Sequence, residues 1–381
     1  MDAGFTAHHA AQIRRLGHVF YGAGLRMQAA MANHVSSATM DPSMRESHPD
    51  QILILEHNPV FTLGRNASRS DIHVPDDFLA EQGVEVFQTD RGGQVTYHGP
   101  GQIVVYPICA LKGPRQDLGR FVRGLQEVMI RTAADFGVRA QCLAGFPGVW
   151  VETPRGPEKL GALGVHLRRW VSTHGLAFNV DPDLNHFRWI TPCGIADKGV
   201  CSLRSLLGED TPTWDEAAAR LEVHLADVLA FDVKPVPAPS RSVSALTWRR
   251  SERGIEVLML LRQPTQGLWW SSVTGMQEPG ESDEETALRE VFEETGLSGS
   301  LGSLGFSHSF WVDPALIGLP EGEPRFNTEA GLHLEVSPYT EVRLNRDEHS
   351  DFRWCSLPEA QGLMHWEGGR ESLRRLERML R

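Results

Sequence analysis

Two stretches of this chain carry side chains able to do chemistry, and the two chemistries differ. One closes on Ile190-Thr191-Pro192-Cys193-Gly194, a lone cysteine set between Pro and Gly. Such a turn exposes the side chain, and its thiol becomes a nucleophile once a neighbouring positive charge favours the thiolate. Read from the turn alone, such a cysteine is more often a passive small hydrophobe than a nucleophile. The other stretch is Gly275–Leu297, GMQEPGESDEETALREVFEETGL. At ~100° per residue its Glu290, Glu293 and Glu294 fall in one ~100° arc of a helix. Ala287, Leu288, Val291 and Phe292 take the neighbouring apolar arc. Clustered carboxylates repel one another, and a hard cation with oxygen ligands, Mg²⁺ or Mn²⁺, would compensate them. Such an ion neutralises diphosphate oxygens and activates water. The plain alternative is a solvated acidic helix face. Thiol and metal–carboxylate chemistry rarely share a site, so two enzymes in series is the simplest reading.

The elements that would hold these residues can be placed from periodicity. Ser282 and Glu285 can cap the acidic helix and Gly296 can end it. Leu118, Phe121, Leu125, Val128, Met129 and Phe136 recur at helical spacing behind Asp117, a candidate cap. Thr213 and Glu216 form a capping box for a helix over 214–230. Segments 51–55, 84–88, 103–108, 148–151 and 176–180 read as strands, as do 242–248 and 255–261 around a turn at Arg253-Gly254. Strands and helices interleave, which predicts an α/β or α+β fold. The seam is Val233-Lys234-Pro235-Val236-Pro237-Ala238-Pro239-Ser240, a short, stiff, proline-rich spacer. It sets expected domains of 1–235 and 236–381.

Bulk properties narrow the classes. At 381 residues the chain exceeds one ordinary core. No apolar run approaches the ~18 residues of a membrane span, and MDAGFTAHHAAQIRRLG has no apolar core of a secretory signal. Five irregularly spaced cysteines form neither a disulfide framework nor a CxxC zinc motif, which predicts a reduced, cytoplasmic setting. A formal charge of −12 disfavours nucleic acid. Arg14-Arg15, Arg91 and Arg168-Arg169 are either a steering surface for an acidic partner protein or scattered solvated arginines. Cys109, Cys142 and Cys355 sit in apolar surroundings and are weaker nucleophile candidates than Cys193; Cys201 is ambiguous.

Five ordered blocks between Ala11 and Phe231 resemble the octanoyltransferase family. They are LEHNPVFTLG at 55–64, RGGQVTYHGPGQ at 91–102, KLGALG at 159–164, HGLAFNV at 174–180 and TPCG at 191–194. The resemblance implies an α/β, mixed-sheet fold of the lipoate/biotin-ligase kind. It implies transfer of octanoyl from acyl carrier protein to a lysine of lipoyl domains, those of 2-oxoacid dehydrogenases and the glycine cleavage H protein, with no cofactor. On that reading Cys193 carries the acyl thioester and Lys159 lowers its pKa or acts as base. Taken alone, Lys159 reads as a surface lysine. The acyl channel would be lined by Arg91, Gly92, Gly93, Gln94, Val95, Thr96, Tyr97 and His98. Gly161, Ala162, Leu163, Gly164, Gly175, Leu176 and Ala177 would complete it, small residues admitting a thin chain. The rival is a lipoate-protein ligase, which shares the fold and the lysine but activates free acid with ATP.

The acidic stretch fits the Nudix pattern G-x5-E-x7-R-E-U-x-E-E-x-G-U through Gly275, Glu281, Arg289, Glu290, Glu293, Glu294 and Gly296, with Val291 and Leu297 in the apolar slots. That resemblance implies an α/β/α sandwich and hydrolysis of a nucleoside diphosphate linked to another group. It places Mg²⁺ or Mn²⁺ on Glu290, Glu293 and Glu294, and Arg289 orienting a glutamate. RFNTE at 325–329 and DEHSDFRW at 347–354 resemble the branch that hydrolyses dihydroneopterin triphosphate, and some dATP-cleaving relatives. Glu348 is then a further metal ligand or base. Trp269-Trp270 either stacks a base or pterin or fills the core. A nucleotide-sensing module without hydrolysis is the alternative for this half.

Overall fold

The computed structural model describes residues 8–40, 48–191, 198–266, 268–312 and 325–381. Pro192, Cys193 and Gly194 lie outside them. The chain divides into two compact units, Met1–Pro237 and Ala238–Arg381. Both are mixed α/β.

In the first unit the strands run β1 (His9–His18), β2 (Asp50–Glu56), β3 (Val60–Leu63), β4 (Glu85–Gln88), β5 (Val95–His98) and β6 (Gln102–Ile108). They continue with β7 (Ala140–Leu143), β8 (Phe146–Thr153), β9 (Gly156–Arg168), β10 (Val171–Asn179), β11 (Gly199–Val200) and β12 (Phe231–Val233). Among the described residues nine form one sheet, in the order β12-β1-β2-β6-β10-β9-β8-β7, with β11 beside β9. The β12–β1, β1–β2 and β11–β9 pairs are parallel; the rest of that sheet is antiparallel. A small second sheet, β4-β3-β5, stands apart.

Strand alternation sorts the large sheet into two faces. Ile52, Ile54, Ile103, Val105, Leu176 and Phe178 face a core completed by the helices Leu118–Asp135 and Trp214–Val228. The first of these helices starts where Asp117 accepts from the Arg120 N–H at 2.8 Å, and the second carries the Thr213–Glu216 capping box. Val104 and Tyr106 project to the other face, where the cavity described below opens and where the helix Tyr21–Met40 begins.

The second unit packs one mixed sheet between helices. Its strands are β13 (Ser240–Ser251), β14 (Gly254–Arg262), β15 (Trp270–Ser271), β16 (Val273–Met276), β17 (Ser300–Val312), β18 (Arg325–Glu335) and β19 (His349–Ser356). Leu258 and Leu260 of β14 meet Ala287 and Val291 of the helix Asp283–Thr295 on one face. Val257 and Met259 meet Ala360, Leu373 and Leu376 of the helices Leu357–Leu363 and Glu367–Leu380 on the other. Ser282 caps the Asp283–Thr295 helix in a capping box with Glu285, and Gly296 ends it at φ +67°, a left-handed conformation that suits glycine.

The long strand β9 was not expected from periodicity, because small residues and Lys159 break its alternation. The arginines read as a steering cluster are also dispersed. Arg14 is buried between Gln12 and Gln51, Arg15 pairs with Glu222 at 2.7 Å, and Arg91 is buried. Arg168 and Arg169 remain exposed at the β9–β10 turn.

Candidate active sites

The first site is a cavity of ≈ 180 Å³ on the face of the large sheet that carries Val104 and Tyr106. Its walls hold Arg91, Gly92, Gly93, Gln94, Thr96, His98, Ala162, Leu163, Gly164, Gly175, Leu176 and Ala177. Tyr21, Asn66, Val104, Tyr106, Pro147 and His174 join them. Across the β9–β10 ladder Gly164 faces Gly175 and Ala162 faces Ala177, so this wall has almost no side-chain thickness. A Cβ on Gly175 would run into the Val105 carbonyl and come within 2.5 Å of Pro107 Cδ; one on Gly164 would come within 2.8 Å of the Gly92 carbonyl.

Three expected channel residues do not line the cavity. Val95 and Tyr97 alternate with Thr96 and His98 on β5, so their side chains turn into a separate cluster with Phe61, Leu63 and Ile190. Gly161 backs onto the core, where a Cβ would meet Met129 Sδ at 2.5 Å.

His57, His98, Tyr106 and Arg91 are buried at the cavity, and partners fix their protons. His57 Nδ1 lies 2.6 Å from the Val19 carbonyl, which can only accept, so this nitrogen carries the proton. Burial keeps His57 well below the usual histidine pKa and hence neutral, so its Nε2 accepts the Tyr106 O–H at 2.6 Å. His98 Nδ1 meets Gln102 Oε1 at 2.7 Å, and Gln102 Nε2 donates to Asn179 Oδ1 at 2.9 Å. Burial lowers His98 to about 4, leaving Nε2 a bare acceptor in the cavity wall. Tyr21 and Tyr106 are raised by burial and stay as phenols. Arg91 donates to Thr62 Oγ1 at 2.9 Å and to the Thr62 carbonyl at 2.6 Å, which pins its guanidinium in the wall. His174, at φ +56°, donates its N–H to Gln28 Oε1 and sets Nε2 2.8 Å from Asp90.

Lys159 is 6% exposed, its Nζ 4.7 Å from the Trp150 ring centroid. It is not part of the cavity wall but stands beside Gly148, the neighbour of Pro147. Val200, shortly after Cys193 in the chain, pairs with it through β11, and the Cys201 N–H donates to the Lys159 carbonyl at 3.0 Å. The thiols within the described residues are poor nucleophiles. Burial pushes Cys201 up to about 12 and Cys109 well above the usual range; Cys142 and Cys355 are raised by the same cause.

In the second unit Arg289 grips Glu281 with two parallel bonds of 2.7 and 2.9 Å. It also reaches Glu290 at 2.8 Å and Glu293 at 3.3 Å. The hydrogen bonds from Arg289, and after them the one from the Glu278 N–H, hold the Glu281 carboxyl down at about 2. Gly275 is where Glu290 crosses β16: a Cβ there would overlap the Glu290 carboxyl. Glu294 and Glu348 come together with His349, their ligand atoms all within 4.8 Å of one another. Glu348 is held by Arg262 at 3.2 Å. The four expected ligands thus divide, Glu290 and Glu293 against Arg289, Glu294 and Glu348 beside His349. Burial raises Glu294, and its Oε1 is buried with no partner among the described residues, which fits a cation. Trp269 stacks on His365 with ring centroids 5.5 Å apart, and Trp270 lies under Arg353.

Sequence reasoning passed over Tyr21, Tyr106, His174 and His349. The available signal was a polar or aromatic residue inside an otherwise apolar strand, as with Tyr106 in QIVVYPI.

Fold and sites define a class that comparison with known proteins makes specific. Residues 25–226 match the lipoyl protein ligase A/B catalytic domain and residues 238–376 match the NUDIX domain, so the chain belongs to the lipoyl protein ligase A/B family and carries a NUDIX domain after it. Within that family it is 38% identical to an octanoyltransferase of Myxococcus xanthus, over 95% of this chain and 98% of that protein. It is 45% identical to an octanoyltransferase of Chloroflexus aggregans, over 60% of this chain and 98% of that one. The dihydroneopterin triphosphate pyrophosphohydrolase of E. coli is 24% identical over 36% of this chain and 97% of its own, with a TM-score of 0.31.

Proposed function

We propose that the first unit moves an octanoyl group from acyl carrier protein to a lysine of lipoyl domains through a thioester on Cys193. The observation that carries this reading is the thin-walled cavity, whose Gly164–Gly175 and Ala162–Ala177 pairs leave room for a linear acyl chain. The Cys193 thiolate attacks the carrier thioester, a new carbon–sulfur bond forms, and the bond to the carrier sulfur breaks, so the carrier leaves as its thiolate. The lysine amine then attacks the Cys193 thioester, an amide forms, and the carbon–sulfur bond to Cys193 breaks to return its thiolate. Lys159 accepts the proton that the amine gives up. Arg91, His98 and Tyr106 shape the wall against which the acyl group lies. No cofactor enters these steps. The setting is the reducing cytoplasm, in keeping with the free cysteines Cys109, Cys142, Cys201 and Cys355. Cys193→Ser tests the reading against a ligase: transfer from octanoyl-acyl carrier protein should collapse, whereas a ligase using free acid and ATP would be indifferent.

The second unit is proposed to hydrolyse a nucleoside diphosphate linked to another group, with dihydroneopterin triphosphate the foremost substrate because of the 325–329 and 347–354 segments. Glu294 and Glu348, with Glu290 and Glu293, would hold Mg²⁺ or Mn²⁺, which supplies charge neutralisation at the diphosphate and a more acidic water. Arg289 keeps Glu281 ionised and holds Glu281 and Glu290 in place, and Arg262 orients Glu348. A folate precursor as substrate would join the two activities, since glycine cleavage needs both a lipoylated carrier and tetrahydrofolate. A Mg²⁺-dependent assay against pterin and deoxynucleoside triphosphates decides this, and no turnover of either would leave only a sensing role.

A further inference from the structure

His349 sits directly behind the carboxylate cluster, fully buried, as is Glu294, and its Nε2 is 2.7 Å from Glu294 Oε2. A carboxylate oxygen accepts, so His349 Nε2 carries the proton and donates it into this bond. The other ring nitrogen, Nδ1, is buried with no partner among the described residues. Glu294 is the mirror of this arrangement: Oε2 is occupied by the histidine, and Oε1 is buried and unanswered. One oxygen is tied down and the other is kept for something the protein does not supply.

The local backbone is built to hold this pair. The Arg343 N–H donates to the Thr295 carbonyl and the Asn345 N–H to the Glu294 carbonyl, both at 2.8 Å, so the loop before β19 is clamped to the last turn of the acidic helix. The His349 N–H then returns to the Asn345 carbonyl at 3.1 Å, and Asn345 Nδ2 reaches Glu348 Oε1 at 3.3 Å. Glu348 and His349 are therefore delivered to Glu294 as one unit. Histidine contacting a carboxylate that binds a cation orients and tunes it, and losing such a partner weakens metal binding by about ten- to a hundredfold.

We propose that His349 is a positioning residue: it holds Oε2 of Glu294 so that Oε1 is presented to a divalent cation, and it forms no bond to the cation itself. The inference rests on the metal-dependent reading of the second unit.

The test is Mn²⁺ titration of the full chain followed by electron paramagnetic resonance, with His349→Leu, His349→Met and His349→Gln. Leu and Met lack an N–H and should weaken Mn²⁺ binding by about ten- to a hundredfold. Gln places an amide N–H at comparable reach and should restore most of the affinity, a rescue that a merely space-filling histidine would not predict. In the unsubstituted chain, electron spin echo measurements should show no directly bonded nitrogen on Mn²⁺, a readout that holds even if the apolar variants fail to fold. Unchanged affinity in folded His349→Leu or His349→Met, or a directly coupled nitrogen in the parent, overturns the proposal alone. A parent chain that binds no Mn²⁺ overturns the hydrolase reading together with it. A parent that binds Mn²⁺ yet cleaves no substrate ends the hydrolase reading and leaves the role of His349 to be judged on affinity.

Discussion

The cavity of the first unit and the carboxylate cluster of the second both take polar groups out of water, and they solve the problem by different means. Around the cavity four buried groups are neutral beside the one guanidinium of Arg91: His57 and His98 are kept unprotonated, and Tyr21 and Tyr106 are kept as phenols. His57, His98 and Tyr106 are paired so that each proton has one place to be. In the second unit the charges are retained and balanced, with Arg289 spanning Glu281, Glu290 and Glu293 and Arg262 spanning to Glu348. An apolar acyl chain needs the first kind of wall; a diphosphate with its cation needs the second. The difference shows that burial by itself does not specify a site. What matters is whether the buried group is emptied of charge or answered by one.

Several substitutions would break or sharpen this contrast. The largest expected effect is a clean separation of activities. Cys193→Ala should lower octanoyl transfer by at least about a thousandfold, since no described thiol can replace it, while leaving pyrophosphate hydrolysis intact. Glu294→Gln should do the reverse, and paired assays on the same preparations check both. Loss of both activities in either variant would erase the distinction between the sites.

Acid should distinguish the units next. The folded pKa of His98 is depressed to about 4 from an ordinary 6.5, so the unfolded chain binds more protons between these values. Stability is therefore full above the unfolded pKa and is lost as pH falls toward the folded one. Urea unfolding of the first unit should be weaker by about 2 kcal/mol near pH 5 than near pH 7. His98→Gln should recover part of that loss, with His57 keeping the remainder. A pH-independent unfolding free energy would contradict the neutral wall.

Thickening the cavity wall comes third. Gly175→Ala sets a methyl against the Val105 carbonyl and Pro107, and should destabilise by about 1–3 kcal/mol while cutting kcat/KM for transfer. Gly275→Ala is the counterpart in the second unit. The atoms it meets belong to the flexible Glu290 carboxylate, so thermal stability should change little while hydrolysis drops. Equal destabilisation by both would mean that the glycines serve packing alone. The smallest effect belongs to Ser282→Ala, which removes a helix cap and should cost about 1 kcal/mol in thermal unfolding without altering transfer.

Much of this was legible in the residues. The capping boxes at Thr213 and Ser282 and the Gly296 terminus are local signals, and the structure has them where hydrogen-bonding chemistry puts them. The wall residues Gly164, Gly175, Ala162 and Ala177 were named through the family resemblance, and they share one cavity wall, whereas Gly161, named with them, backs onto the core. Other features were hidden by their non-local character. Val95 and Tyr97 belong to the motif in sequence but to another cluster in space, since a strand sends alternate residues to opposite faces. The division of the four glutamates depends on where Arg289, His349 and Arg262 reach, and Arg262 and Glu348 meet only because β14 pairs with β19. Arg14 looked like surface charge, yet it is buried with Gln12 and Gln51 as partners from two strands.

Intact-mass analysis of the full chain after mixing with octanoyl-acyl carrier protein tests the central claim most directly. The account predicts a stable octanoyl adduct on Cys193 that disappears when a lipoyl domain is added and never forms in Cys193→Ala. Full-speed octanoylation of the lipoyl domain by Cys193→Ala, with no adduct on the unsubstituted chain, would contradict it.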